Sequence, residues 1–222
     1  RDAQESRGLG DVYKRQQLGY NEFVYLDLSA RNDWSSTLAY TSHEKSGFFY
    51  PSVGFSLIFN KLMTLPQWVS LAKIRGAYSM VGNDIPMFIT NPSSHITAGG
   101  EFLASDAAPF KDMEPEMTHS FEVGIEARFL KNRIGLNATF YKTNTRNQFF
   151  KLPTLSGDKY AYRYVNAGDI QNVGWEISLD AVPLLTNHFK WKTEVNFSTN
   201  RNKIISLHEA LKEFLYGPTS FS

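Results

Sequence analysis

Two pairs of carboxylates are the first residues in the sequence whose types and spacing could support acid–base chemistry. Glu114 and Glu116 flank Pro115 at the end of a long irregular stretch, and Glu122 and Glu126 follow in a regular one. General acid–base catalysis needs groups that are held in a closed pocket with shifted pKa values. The first pair ends a loop and is expected to be solvated, so the sequence favours no catalytic role for it.

The second pair occupies one face of a predicted β-strand, where pairing with opposite charges is favoured over catalysis. Arg128 shares that face with Glu122 and Glu126, because successive side chains of a strand alternate between faces. Lys73 and Arg75 are expected to approach the pair across the sheet, where opposed charges stabilise neighbouring strands. The sequence therefore predicts structural ion pairs at these positions.

The other reactive residue types are scattered and predict no enzyme, no cofactor and no metal site. The histidines are His43, His95, His119, His188 and His208, and cysteine is absent. No histidine has a partner at metal-ligand spacing, and His119 and Ser120 point to opposite faces of a strand. Asp169 lies in a polar stretch that does not match the EF-hand spacing, so a turn or a kink towards the polar face is predicted there. Walker, nucleophile-elbow and dinucleotide motifs are absent from the sequence.

A strict alternation of apolar and polar residues organises the elements that carry these side chains. From Phe121 to Phe129 every second residue is apolar, and the pattern returns after a short turn at Ile134. It occurs again around Trp175 and around Val195. Alternation of period two indicates β-strands with one apolar and one polar face.

Seven strands are predicted in total, at about 20–32, 48–59, 69–81, 118–129 and 134–147, around Trp175 and around Val195. Pro51 lacks an amide donor and is expected to lie outside the regular ladder of the second strand. Residues 201–215 are interpreted as a short helix, since their leucines and isoleucines fit helical spacing loosely.

The connections between these strands alternate between long and short, and this pattern favours an antiparallel up-and-down sheet whose two ends face different compartments. The longest, roughly 82–115, contains four prolines and two adjacent glycines. Outer-membrane barrels have short periplasmic turns and longer outside loops, so a section of a transmembrane β-barrel fits. A soluble β-sandwich also has an apolar inner face, and the alternation alone leaves both architectures open.

Aromatic residues make up 14% of the sequence and fall near both ends of the predicted strands. Those near the long-loop ends are Trp34, Phe48, Phe49, Tyr50, Phe149, Phe150, Tyr160, Tyr162 and Tyr164, and those near the short-turn ends are Trp68, Phe189 and Trp191. Amphipathic rings favour the two interfaces of a membrane, so the sequence predicts two belts. Stacking of some outer rings on sugars is the competing interpretation.

Composition and the two chain ends bear on the class of partner, on targeting segments and on the domain boundaries. The net charge of +1 gives no support to a nucleic-acid partner. No run of 18 apolar residues occurs, and no signal peptide opens the sequence. Residues 1–17 are interpreted as a tail that is foreign to the rest or disordered, and 18–222 as a partial barrel domain truncated at both ends.

Several motifs in a fixed order resemble those of SusC/RagA-type TonB-dependent transporters of the outer membrane. They are Arg31–Leu38 (RNDWSSTL), Phe48–Gly54 (FFYPSVG), Lys73–Tyr78 (KIRGAY) with Val81–Asn83, Glu116–Thr118 with Phe121–Gly124 (FEVG), Phe140–Thr143 (FYKT) with Asn147–Gln148, and Asn166–Glu176 (NAGDIQNVGWE). Each motif is weak alone, but together they cover about Leu18 to Leu207 in order.

The resemblance implies a barrel of about 22 strands with an internal plug. It implies import of oligosaccharides or peptides, with energy from TonB–ExbB–ExbD acting on the plug and a SusD-like lipoprotein as a lid. The expected location is the cell outer membrane, in contact with lipid. A siderophore or vitamin receptor and a secreted carbohydrate-binding β-sandwich are the alternatives. No substrate-binding residue is assigned from the sequence.

Overall fold

The computed structural model of the chain consists mainly of antiparallel strands. It describes residues 10–35, 41–42, 47–83, 89–90, 92, 94–96, 98–103, 105–111, 113–154, 157–166 and 168–206. The elements are β1 (Gly10–Tyr20), β2 (Val24–Trp34), β3 (Phe48–Ile58), α1 (Phe59–Leu62), β4 (Val69–Asn83), β5 (His95–Ile96), β6 (Phe102–Leu103), β7 (Glu116–Phe129), β8 (Ile134–Arg146), β9 (Phe149–Pro153), β10 (Tyr162–Asn166), β11 (Asp169–Leu185) and β12 (Lys190–Ser206).

Eight of these strands form one sheet in the order β1-β2-β3-β4-β7-β8-β11-β12, and every pair of neighbours is antiparallel. The short strands pair as two separate hairpins, β5 with β6 and β9 with β10, inside the connections that link β4 to β7 and β8 to β11. Strands that follow one another in the large sheet are therefore neighbours, which confirms the predicted up-and-down arrangement.

The two ends of the sheet differ in the length of their connections, as the sequence predicts. Residues 21–23, 59–68, 130–133 and 186–189 connect strands at one end, which we call the short-turn end. Residues 35–47, 84–115 and 147–168 connect them at the other, the long-loop end. The turn at 130–133 is tight because Leu130, Lys131 and Asn132 all adopt positive φ angles.

Strand β1 corrects the expectation that no strand precedes Tyr20. Residues 10–20 pair with all of β2, from Gly10 opposite Trp34 to Tyr20 opposite Val24. On β1, the face that continues the apolar side of the sheet carries Lys14 and Gln16. The alternation of apolar and polar residues that indicates a strand is therefore absent from this part of the sequence. Residues 1–9 of the predicted tail lie outside the described residues.

The predicted helix over 201–215 is wrong in its first part, because β12 continues to Ser206 and pairs with Asp169 there. The remainder of that segment lies outside the described residues.

Pro51 lies inside the ladder and not outside it as predicted, because it is part of β3 and pairs with Ala30. The pairing of β3 with β4 begins one residue later, at Ser52. Pro51 therefore has a neighbouring strand, β2, on one side only, which is a position that tolerates proline.

The strand register gathers apolar side chains on one side of the sheet, which we call the apolar face. One row of directly paired residues crosses all eight strands: Tyr20, Val24, Leu57, Ile74, Ile125, Ala138, Ile177 and Phe197. Directly opposed residues share a face. The intervening positions, such as Glu126 and Ser178, form the polar face.

The apolar face is uncovered, which excludes the β-sandwich interpretation for the described part of the chain. Ile125 is 45% exposed, Trp175 49% and Phe197 55%. In a sandwich these side chains would be buried beneath a second sheet about 10 Å away. An apolar surface of this extent on a folded chain marks a site of contact with protein or membrane.

The described residues contain one small buried core, and it lies among the long loops and not beneath the sheet. Met113 is fully buried and contacts Ile89, with Phe48, Phe110, Phe149 and Tyr164 packed around them. The outer aromatic belt is therefore partly wrong, since Phe48, Phe149 and Tyr164 pack into this core. Strand alternation does not reveal loops that fold back over strand ends.

Candidate functional site

The polar face carries the charged residues that the sequence singles out, and several of them pair across strands. Lys73 and Glu126 lie opposite each other on β4 and β7, with Nζ and Oε2 3.8 Å apart. Arg128 does not pair with the glutamates of its own strand, because its guanidinium binds both carboxylate oxygens of Asp180 on β11, at 2.7 and 2.9 Å. The predicted ion pairing is confirmed for Lys73 with Glu126, whereas Arg128 has another partner and Glu122 lies opposite Ala77 and Tyr141.

Glycines on the polar face let three long side chains cross an intervening strand. Arg128 reaches Asp180 over Gly135, the residue of β8 that lies directly between them. A Cβ atom at Gly135 would collide with both side chains. The ion pair is about three-quarters buried, with 33% and 21% of the two side chains exposed. The glycine is therefore a structural requirement of this bridge.

The same arrangement recurs on two other strands. Arg75 on β4 crosses Gly124 and donates to Thr139 Oγ1 on β8 at 2.8 Å. The hydroxyl of Tyr141 on β8 crosses Gly174 and donates to the carbonyl oxygen of Thr199 on β12 at 3.4 Å. Long polar side chains consequently lie flat along the polar face, where they form a hydrogen-bonded surface.

A cavity of about 520 Å³ opens on the polar face at the long-loop end of β1–β4. Its lining includes Tyr13, Arg31, Asp33, Trp34 and Tyr50. Arg31 donates to Asp33 at 2.6 Å and lies 3.7 Å from Asp11 across the strand pair. Aromatic rings beside a charged pair suit a ligand that offers both ring faces and hydrogen-bonding groups.

Two of the long loops are joined to each other by an amide cluster around Asn166. Its side chain accepts from the backbone N–H of Glu114 and donates to the carbonyl oxygens of Glu114 and Asn147. Asn147 in turn donates to the exposed carboxylate of Glu114 at 2.6 Å. Glu114 is exposed as predicted, and these hydrogen bonds connect the loop 84–115 with both ends of the loop 147–168.

Two sequence predictions near the long-loop end have different outcomes. His119 and Ser120 point apart as predicted, with His119 Nδ1 3.0 Å from the hydroxyl of Tyr78 and Ser120 3.4 Å from Thr143. Asp169 does not face the polar side: it lies opposite Arg146 on the face of Trp175 and contacts Asn144 and Arg146. Alternation counted back from Trp175 places Asp169 on this face, so the polar composition of the segment, and not its periodicity, led to the wrong prediction.

The described residues lack two further features that would bear on function. Within these ranges no group of three or more potential metal ligands comes together. Among the helices that the structure describes, none has the length and hydropathy needed to cross a membrane.

Comparison with known proteins shows similarity over most of the chain. TonB-dependent receptor P39 of Formosa agariphila is 24% identical over 91% of this chain and 20% of its own length. SusC of Bacteroides thetaiotaomicron is 28% identical over 57% of this chain and 13% of its own length. Three curated relatives match about nine-tenths of this chain. The chain spans only about a fifth of the length of each of them.

Solved structures share the fold. The RagAB peptide importer in its closed-closed state superposes with a TM-score of 0.76 at 22% identity, over 89% of this chain and 22% of that one. The siderophore receptor PirA of Pseudomonas aeruginosa gives a TM-score of 0.58 at 16% identity, over 87% and 34%. The family model described as TonB dependent receptor-like, beta-barrel matches residues 3–208, so the chain belongs to the TonB-dependent receptor β-barrels of the outer membrane.

Proposed function

We propose that this chain is a wall section of an outer-membrane importer of the SusC/RagA type, which takes up oligosaccharides or peptides. The observation that carries the proposal is the division of one sheet into an uncovered apolar face and a hydrogen-bonded polar face. In a large barrel these faces meet lipid and the polar lumen. Similarity to SusC and to the RagAB importer supports this type among TonB-dependent receptors.

The long-loop end faces the outside in this proposal, because barrels of this class have short periplasmic turns. The cavity beside Tyr13 and Arg31 then lies at the outer part of the lumen, where an arriving substrate makes contact. Uptake would draw on TonB–ExbB–ExbD, and a SusD-like lipoprotein would cover the outer loops. Co-purification of such a lipoprotein with the full-length protein tests that partner, and its absence from purified complexes would contradict it.

A binding experiment on the full-length protein tests the role of the cavity. Tyr13→Ala removes a ring that is 59% exposed on the polar face, whereas Tyr20→Ala removes one that is 64% exposed on the apolar face of the same strand. We expect Tyr13→Ala to weaken binding of the transported oligosaccharide or peptide about fivefold, since a stacked ring contributes roughly 1 kcal/mol. Tyr20→Ala should leave affinity unchanged.

The ligand panel distinguishes the importer types. Calorimetric titration with oligosaccharides, with peptides and with ferric siderophores should detect binding of one of the first two classes. Binding of a siderophore alone would overturn the proposal in favour of the siderophore-receptor alternative, for which PirA is the structural precedent.

A further inference from the structure

We propose that the apolar face carries a binding site for the phosphate-bearing headgroup of an outer-leaflet lipid, formed by Lys142, Arg201 and Lys203. These cations lie on the apolar face at the long-loop ends of β8 and β12, beyond the run of apolar side chains on each strand. The proposal depends on the outer-membrane location of the strands and is independent of the imported substrate.

The strand register brings the three cations together on one face. Lys142 lies opposite Val173, and Val173 lies opposite Arg201 on the far side of β11. Lys203 occupies the next position on the same face of β12. Neighbouring strands are about 4.8 Å apart, so the backbones at Lys142 and Arg201 are separated by about 10 Å, and their long side chains can reach one headgroup.

Aromatic rings fix the depth of this cluster in the membrane. Phe140 and Trp175 form the next row on the same face, one step from Lys142 and Val173 towards the short-turn end. Their ring centroids are 5.1 Å apart. The amphipathic ring of tryptophan favours the boundary between acyl chains and headgroups. The cations immediately above them therefore lie at the depth of the headgroups.

The cations are available for an external anion. Lys142, Arg201 and Lys203 are exposed and make no ion pair with any residue in the described ranges. By contrast, Arg146 on the same face is paired with Asp169 at 3.4 Å. Lysine and arginine bind phosphate through charge-assisted hydrogen bonds, and clustered basic residues beside a membrane recognise anionic headgroups.

The opposite end of the same strands has no such cluster. There the row of paired residues on this face reads Phe129, Ile134, Ala181 and Thr193. Among the paired positions of the apolar face on these strands, cations therefore occur at the long-loop end and not at the short-turn end. A ligand that is restricted to one leaflet explains that asymmetry, because a general preference for anionic lipid would favour cations at both ends.

Native mass spectrometry of the full-length protein in detergent tests the site. The probes are diphosphorylated lipid A and the same lipid after removal of its phosphates, so that the acyl chains are matched. The triple variant Lys142→Gln/Arg201→Gln/Lys203→Gln should lose about a hundredfold in affinity for the phosphorylated lipid, since each basic side chain near an anionic surface contributes roughly fivefold. Its affinity for the dephosphorylated lipid should equal that of the wild type.

A matched control separates a local site from general charge. Lys131→Gln/Lys190→Gln/Lys192→Gln removes the same number of cations from a turn and from the polar face at the short-turn end, where Lys192 Nζ lies 3.9 Å from Glu194 Oε2, and should bind phosphorylated lipid A like the wild type. Lys142→Arg/Arg201→Lys/Lys203→Arg should retain binding because it keeps the positive charges, and wild-type affinity of the glutamine triple for the dephosphorylated lipid shows that this triple is folded. Equal losses in both glutamine triples, or wild-type binding in the first, would overturn the proposal. Competition by millimolar inorganic phosphate would also overturn it, in favour of a free-phosphate site.

Discussion

Gly124, Gly135 and Gly174 show how single residues shape the polar face of this sheet. Each lies between two strands that are hydrogen-bonded across it by a long side chain, and a Cβ atom at any of the three would meet those groups at less than normal contact distance. Sequence alternation places these glycines on the polar face. It does not reveal which side chain crosses them, because that depends on the register of three strands.

Substitution of Gly174 tests this requirement. A Cβ atom at Gly174 would collide with the backbone carbonyl oxygen of Thr199 and with the ring of Tyr141. Gly174→Ala should therefore lower the free energy of unfolding by about 1–3 kcal/mol, the usual cost of overpacking. Urea titration of the refolded full-length barrel in detergent measures it.

Gly54→Ala is the matched control on the polar face of β3. Its Cβ atom would lie 3.7 Å from the Cβ of Asp27, an ordinary contact. Because alanine is favoured over glycine in a strand by roughly 0.5–1 kcal/mol, this variant should be as stable as the wild type or more so. Equal destabilisation by both substitutions would contradict the crossing arrangement.

At the scale of elements, the apolar segment of β7 has the length that a membrane requires. On this strand the apolar face extends from Phe121 to Phe129, and transmembrane strands need about 9–11 residues. The sequence predicts this segment well because alternation is uninterrupted there. It predicts β1 poorly, because the outward positions of that strand include lysine and glutamine.

Ile125→Arg places a charge in the middle of this segment. A cation on the lipid face at mid-bilayer costs about 2–4 kcal/mol, so barrel assembly in the outer membrane should fall sharply. Glu122→Arg puts the same side chain on the polar face of the same strand, and assembly should be preserved. Heat-modifiability on gels measures the folded fraction, and equal yields for the two variants would contradict the assignment of faces.

An ion pair at the short-turn end joins the β1–β2 turn to the segment after β3. Lys61 Nζ lies 2.7 Å from Glu22 Oε2, and this hydrogen bond holds the pKa of Glu22 below its ordinary value. Because the folded pKa is lowered, the stabilisation is present above the ordinary pKa and is lost as pH falls through the lowered one. Both side chains are exposed, so the effect is local and small.

Hydrogen exchange measures this local effect. Protection of the amides near Glu22 should decrease as pH falls through the acidic range, after correction for intrinsic rates. Glu22→Gln should abolish that dependence. A dependence that persists in the variant would show that another group is responsible.

At the scale of the whole molecule, the apolar stretches of successive strands do not lie side by side in the same rows of directly paired residues. They are displaced along the strand direction from one strand to the next. One row reads Leu28, Val53, Tyr78, Phe121, Lys142, Val173 and Arg201, so it is apolar or aromatic from β2 to β7 and charged on β8 and β12. Barrel strands tilt by roughly 35–45° from the membrane normal, so a row perpendicular to them leaves the membrane along its length. The stagger fits a tilted barrel wall.

The overall architecture was more predictable than its detail. Alternation and loop lengths indicate an up-and-down sheet, but they leave the barrel and sandwich open until the exposure of Ile125 and Trp175 decides between them. The candidate cavity depends on Tyr13, which belongs to the strand that alternation missed. Loop packing around Met113 depends on contacts between distant segments, and no local pattern encodes them.

Spin labels along β7 test most directly whether the apolar face meets lipid. The sequence contains no cysteine, so single substitutions from Glu122 to Ala127 can be labelled in the full-length protein once any other cysteine is replaced. In bilayers, accessibility to oxygen should peak at positions 123, 125 and 127, and accessibility to a water-soluble nickel complex at 122, 124 and 126. Low oxygen accessibility at 123, 125 and 127, as beneath a covering sheet, would contradict the account.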